Sequence, residues 1–208
     1  MSHPAFFDEV KSITLRDPLA QVLGAASDGL LHYAYLDAVK LAGHSCPTVA
    51  GAYLMTLKAL EALYPESVPE RGNVRVEFGA VQDEGVTGVI ANVASLITGA
   101  SGEGGFKGLG GKFSRRNLLL FGIGSGIEAR FTRMDTGAAV TVAYHPEVVP
   151  PPPELPALMQ KLLANEASAD ERTQFGKLWQ MRVKRILIDH ADDSALIDCR
   201  GESVSSLA

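Results

Sequence analysis

"KLAGHSCPTVAGAYLMTLKALEAL", residues 40–63, is the stretch on which the reading of this chain turns. Pro47 suits the first turn of a helix, where its missing N–H would lack an intrahelical partner anyway. From Pro47 to about Leu63 no residue breaks a helix. Val49, Tyr53, Leu57 and Leu60 fall on one face, and Ala52, Met55, Ala59 and Ala62 let it pack closely. Just upstream, Gly43 is placed to end a preceding helix that carries Leu36, Val39 and Leu41. The spacing thus predicts two helices joined by a short loop that holds His44 and Cys46.

Working outward, "HPAFFDEVKSI" and "RDPLAQVLGAAS" read as two short helices, the second with Asp17 as N-cap and Pro18 at its first position. Downstream, "YPESVPERGN" breaks the helix, and "NVRVEFGAV" alternates as a strand with Val74, Val76 and Phe78 on one side. "VTGVIANVASLIT" suits a packed helix or a buried strand, and Asn92 favours the helix. "LLLFGIG", "GIEARFTRMD" and "AAVTVAYHP" read as strands joined by turns at 124–126 and 135–137. "PEVVPPPPELP" reads as a stiff linker. Two amphipathic helices follow it, "ELPALMQKLLAN" and "DERTQFGKLWQMRVKRILIDH", and the tail "RGESVSSLA" reads as frayed. Helices, then strands, then helices predict an α+β fold with a mostly antiparallel sheet. The expected units are a core over residues 1–149 and a C-terminal helical extension over 154–200, packed on the core or on a partner copy.

With 208 residues, 46% hydrophobic and 21% charged, the chain has the composition of a globular protein with one good-sized core. A net charge of -5 gives no basic footprint, so nucleic acid is not an expected partner. No run of about 18 apolar residues suggests a membrane span. Asp8 and Glu9 with no long apolar region make a secretory leader unexpected. Two cysteines, Cys46 and Cys199, are too few for a disulfide framework, so free thiols in the cytoplasm are expected.

Cys46 falls at the helix N-cap or beside it. There free backbone N–H groups and the positive end of the helix dipole favour an anion, and a thiol is favoured as the reactive thiolate. His44, two residues away in an extended loop, faces the same side. Imidazole and thiolate together suit zinc and similar metals. Further ligands would come from His32, Glu77, Asp83, Glu84, His145 or water, none of them marked by spacing. The alternative is a capped helix entry with a buried thiol and a histidine that satisfies backbone carbonyls.

"YLDAVKLAGHSCPTVAGAYLMTLKAL" resembles the opening motif of the FmdE-like proteins, a family associated with formylmethanofuran dehydrogenase. That motif is roughly His-Gly-His-x-Cys-Pro-Gly ahead of a small-residue helix. Its second histidine falls on His44, its cysteine on Cys46 and its proline on Pro47, while Ala42 and Thr48 replace the first histidine and the last glycine. "IANVASLITGASGEGGFKGLGGKFSRRNLLLFG" is similar to a later family segment. Thr98 and Gly99 match it, Ala100 stands where the family has cysteine, Asn92 stands near its aspartate, and Asn117 and Leu118 stand at its Asn-Leu. The resemblance runs from residue 30 to about 145, and more loosely through "WQMRVKRILI". It implies an α+β domain, a homodimer, and a divalent metal in a cleft near His44 and Cys46, zinc by the donor chemistry. In an enzyme of this kind Cys46 would be nucleophile or ligand and His44 its ligand partner or base. "LIDCRGESVSSLA" has no C-x-x-C pair, so the zinc-ribbon module of many members is not expected.

Seven glycines lie between Gly99 and Gly111. The segment is neither a Walker loop, since Gly111 stands at the lysine position, nor a dinucleotide fingerprint. Convergent backbone N–H groups with Lys107, Lys112, Arg115 and Arg116 could cradle an anion, with Lys112, Arg115 and Asn117 as the ligand-binding residues. A solvated loop is the plainer reading. His190, among Asp189, Asp192 and Asp193, reads as a helix end followed by a polar turn, and Trp179 as core or interface. Three functional classes follow: a metal or thiolate site at His44 and Cys46, a non-catalytic module for a small molecule or anion, and a structural homodimer.

Overall fold

A computed structural model describes residues 3–124 and 126–202. The chain opens on a 3₁₀ turn, Ala5–Glu9, and a two-stranded antiparallel hairpin of β1 (Ile13–Arg16) and β2 (Leu30–Tyr33). Between those strands lies α1 (Pro18–Val22). Asp17 caps it as expected, its Oδ1 accepting from the N–H groups of Leu19 and Ala20 at 3.0 and 3.2 Å. The hairpin itself is not visible in the sequence, because four-residue strands are too short to show alternation.

Then come α2 (Tyr35–Ala42) and α3 (Pro47–Leu63), separated by Gly43 in the left-handed conformation (φ 76°). Both boundaries match the sequence reading. What differs is the burial of α3. It is sunk nearly all round, from Val49 through Leu57 and on to Ala59, Leu60 and Leu63, with Ala62 left exposed. A helix apolar on every side belongs at the centre of a core. The sheet covers one side of it, while α2, α4 (Thr87–Thr98) and α6 (Ala169–Lys184) cover the others. Each large side chain α3 buries contributes roughly 1.5–3 kcal/mol, and α3 buries twelve of its residues.

The sheet contains β3 (Val74–Phe78), β4 (Leu119–Leu120), β5 (Ala129–Arg133), β6 (Ala139–Tyr144) and β7 (Ile197–Glu202), in the order β4-β3-β5-β6-β7. All pairings are antiparallel except β3 with β4. The turn at 124–126 was expected to join neighbouring strands. Instead β4 runs parallel to β3, and the chain crosses to pair β5 on the other edge of β3. The N–H groups of Gly122 and Ile123 donate to Ala80 O and Phe78 O, holding the crossing segment beside the end of β3. The α+β class stands: helices and a mostly antiparallel sheet pack together, with α2, α3, α4 and the sheet strands contributing to one core.

Two corrections concern the C-terminal part. Arg200, Gly201 and Glu202, read as frayed tail, lie in β7 and pair with Thr141, Val140 and Ala139, while residues 203–208 lie outside the described residues. On the helix read as amphipathic, α5 (Leu155–Leu163), Leu155 and Leu158 are buried, but Leu163 at its end is 76% exposed. Along α6 (Ala169–Lys184), Phe175, Leu178 and Trp179 are half-buried. Val183 is buried, as are Ile186 and Leu187 in the wider π turn (Arg185–Asp189) that continues the helix. Among the described residues no helix is long and apolar enough to cross a membrane.

Candidate functional site

Cys46 is the N-cap of α3, and its Sγ accepts from the Val49 N–H at 3.4 Å. It is 8% exposed, so the thiol sits in a wall of the protein rather than on its surface. His44 is exposed, and its Nδ1 lies 2.9 Å from Ala42 O. A carbonyl can only accept, so the proton resides on Nδ1 and the neutral ring keeps Nε2 free as base or ligand.

The loop between these residues is clamped from two sides. Ser45 O accepts from Trp179 Nε1 at 2.9 Å and from Gln180 Nε2 at 3.3 Å, both on α6. Ser45 Oγ bonds Gln180 Oε1 and the Tyr35 hydroxyl of α2. Tyr144, at the end of β6, donates its hydroxyl to Pro47 O at 3.0 Å. Burial pushes the Tyr144 and Tyr35 phenols far above their usual range, so both stay neutral donors.

These elements enclose a cavity of about 580 Å³. His44, Cys46, Pro47 and Thr48 form one rim at the start of α3. Val86 and Ile90 come from the start of α4, Tyr144 and Pro146 from the end of β6, and Trp179 and Arg182 from α6. Glu128, just before β5, is the carboxylate in the wall. Its Oε2 accepts from Tyr144 N at 2.8 Å. Burial raises its pKa, outweighing the Tyr144 N–H and the charge of His145, and Glu147 adds to the rise. Arg182 is fixed by Nε to Val149 O at 2.8 Å and Nη2 to Pro146 O at 3.1 Å.

Neither Glu128 nor Arg182 was singled out from the sequence. Glu128 reads as an ordinary strand-edge acid and Arg182 as the polar face of a helix, and only the fold brings them to the helix entry. Trp179 packs half-buried against the core, stacks on Phe175 at 5.4 Å and also lines the cavity.

The remaining candidates lie elsewhere. The glycine-rich segment contributes no lining residue to this cavity. Within it, Lys112 is exposed, in a tight turn with Leu109. Asn117 is exposed with φ 57°. Arg115 is buried, its Nη2 bonded to Asp17 Oδ1 at 2.7 Å, which makes it part of the framework. His32 bonds Thr14 on the hairpin, Glu77 faces Arg75, and Asp83 and Glu84 are exposed. His145 pairs with Glu147, and His190 with Asp193 as the polar-turn reading expects. Cys199 points its thiol at Lys58 O, and burial with the nearby Asp198 pushes its pKa up.

A resident zinc takes three or four protein donors. Among the described residues no group of three or more His, Cys, Asp or Glu side chains could hold a metal ion. His44 and Cys46 are two such donors on one rim of the cavity. A search of curated proteins found no match. A family model described as "FmdE, Molybdenum formylmethanofuran dehydrogenase operon" matches residues 41–195, which takes in the helix entry, strands β3 to β6 and both C-terminal helices. With three quarters of its length so matched, the chain belongs to the FmdE family.

Proposed function

We propose that this FmdE-family protein binds a small organic molecule in the cavity at the start of α3, with Cys46 and His44 at its reactive edge. The observation that carries the reading is the cavity itself. Its volume of about 580 Å³ lies in the range of ligand pockets, roughly 300–1,000 Å³. Carbon-rich walls with a few convergent polar groups are what such pockets present. The clamps on Ser45 and Pro47 hold the rim in place before any ligand arrives, which lowers the cost of binding. Chemically, Cys46 is placed to attack or bind an electrophilic carbon and His44 Nε2 to take a proton.

The pairing of imidazole and thiolate on one rim, together with family membership, favours a second reading. In it, a divalent metal binds His44 and Cys46 and draws its other ligands from the bound molecule or water.

Alkylation with iodoacetamide near pH 7 tests the first reading. Cys46 in the folded protein is expected to react well ahead of Cys199, whose thiol is held up by burial. Equal labelling, or preference for Cys199, would remove Cys46 from the cavity. Elemental analysis of protein purified without chelator tests the second reading. One zinc per chain, lost in Cys46→Ala, supports it, and a metal-free protein or a metal retained in that variant rejects it.

A further inference from the structure

We infer that the molecule this cavity takes is a small organic acid with an apolar body, its carboxylate facing Arg182. The inference rests on the reading of the cavity proposed above and adds the class of ligand. Arg182 is half-buried in the cavity wall. Two of its nitrogens are spent on the carbonyls of Val149 and Pro146, and those bonds fix the plane of the guanidinium. Neither bond neutralises its charge. Among the described residues no carboxylate forms an ion pair with Arg182, although most other arginines here have one. A partly desolvated guanidinium without a counterion is an anion site in waiting.

The opposite rim points the same way. Thr48 lies in the first turn of a 17-residue helix, where the dipole favours negative charge. Glu128 lies in the same wall, but its Oε2 is turned to Tyr144 N at 2.8 Å, and among the described residues it forms no ion pair with Arg182. Val86, Ile90, the Tyr144 ring and Trp179 add a carbon surface to the lining. A neutral molecule would leave Arg182 unpaired. A phosphate would meet one guanidinium and apolar walls, where it needs several donors. A monocarboxylate with a hydrocarbon or aromatic body satisfies both surfaces.

Two alkylating reagents of nearly equal shape provide the test, because Cys46 reports from inside the cavity. In each reaction the sulfur attacks the CH₂ carbon, the C–I bond breaks and iodide leaves. Iodoacetate carries the carboxylate, and iodoacetamide is its neutral counterpart. The rate ratio of iodoacetate to iodoacetamide at Cys46 is compared with the same ratio in the urea-unfolded chain. We expect the folded ratio to be higher by about tenfold, the effect of one modest charge-assisted contact. The net charge of -5 works against such a preference, so it cannot arise from the molecule as a whole. Arg182→Gln should abolish the preference, and Arg182→Lys should keep part of it. Should the arginine variants fail to fold, competition on the parent protein decides: benzoate should slow iodoacetamide at Cys46, and benzamide should not. Equal ratios in the folded and unfolded chains, or equal protection by benzoate and benzamide, overturn the acid assignment and leave the cavity reading standing. If neither reagent reaches Cys46 in the folded protein, the cavity reading itself is wrong.

Discussion

Two glycines in helices make opposite predictions. Gly176, in α6, has open space where a Cβ would be built. Gly176→Ala removes backbone freedom from the unfolded chain and should stabilise by about 0.5–1 kcal/mol. Gly51, in α3, has no such room, since a Cβ there would lie 2.3 Å from Cε1 of Tyr144. In Gly51→Ala the ring has to move, with its hydroxyl bond to Pro47 O and its share of the cavity wall. The expected cost is about 1–3 kcal/mol, the usual penalty of overpacking. Melting curves of the two variants should shift in opposite directions, and Gly51→Ala should also change the alkylation rate of Cys46. A stabilised Gly51→Ala would mean that Tyr144 does not rest against α3.

At the scale of elements, the sequence was legible where local chemistry sets a boundary. Pro47 and Cys46 start α3, Gly43 ends α2, and Asp17 with Pro18 starts α1. It was illegible where pairing is non-local. Nothing in "LLLFGIG" says that it will lie parallel to β3, and nothing in "IDCRGE" says that β6 will claim it. The site divides in the same way. His44 and Cys46 announce themselves at the helix entry, while Glu128 and Arg182 join them only through the packing of the sheet and α6. Of the C-terminal helices, α6 and the π turn that continues it meet α3, where Val183, Ile186 and Leu187 are buried, while α5 packs against α6. A chain ending at Pro150 would lose those contacts, β7, and the α6 wall of the cavity. It should be insoluble or melt without cooperativity. A soluble product with an unchanged melting temperature would show that α6 and β7 are dispensable.

Across the whole molecule, one buried ionic cluster joins three distant segments. Asp17, 3% exposed, receives Arg71 at 3.0 Å and Arg115 at 2.7 Å, tying the hairpin to the approach to β3 and to the glycine-rich loop. Burial alone would raise the Asp17 carboxyl; the Ala20 N–H, the Arg71 hydrogen bond and the charges of Arg115 and Arg71 outweigh it and hold the pKa below the usual carboxylate range. A depressed carboxylate stabilises the fold fully above its unfolded pKa, and that contribution is lost as pH falls through the folded value. Asp17→Asn leaves two arginines without their shared partner and should cost about 3–5 kcal/mol at pH 7. Its loss of stability between about pH 5 and pH 3 should also be shallower than that of the parent. Urea titrations across that range measure both effects, and an unchanged acid slope would show that Asp17 is not the group being titrated. The pairing of β6 with β7 carries a different consequence, one in time. Tyr144 meets Ile197 only after the whole stretch from 145 to 196 has been made. During synthesis β6 therefore waits with a bare edge, open to other nascent chains, while α5 and α6 emerge. The helix that brings Trp179 and Arg182 to the cavity leaves the ribosome just before the strand that closes the sheet, so the site and the edge are completed almost together.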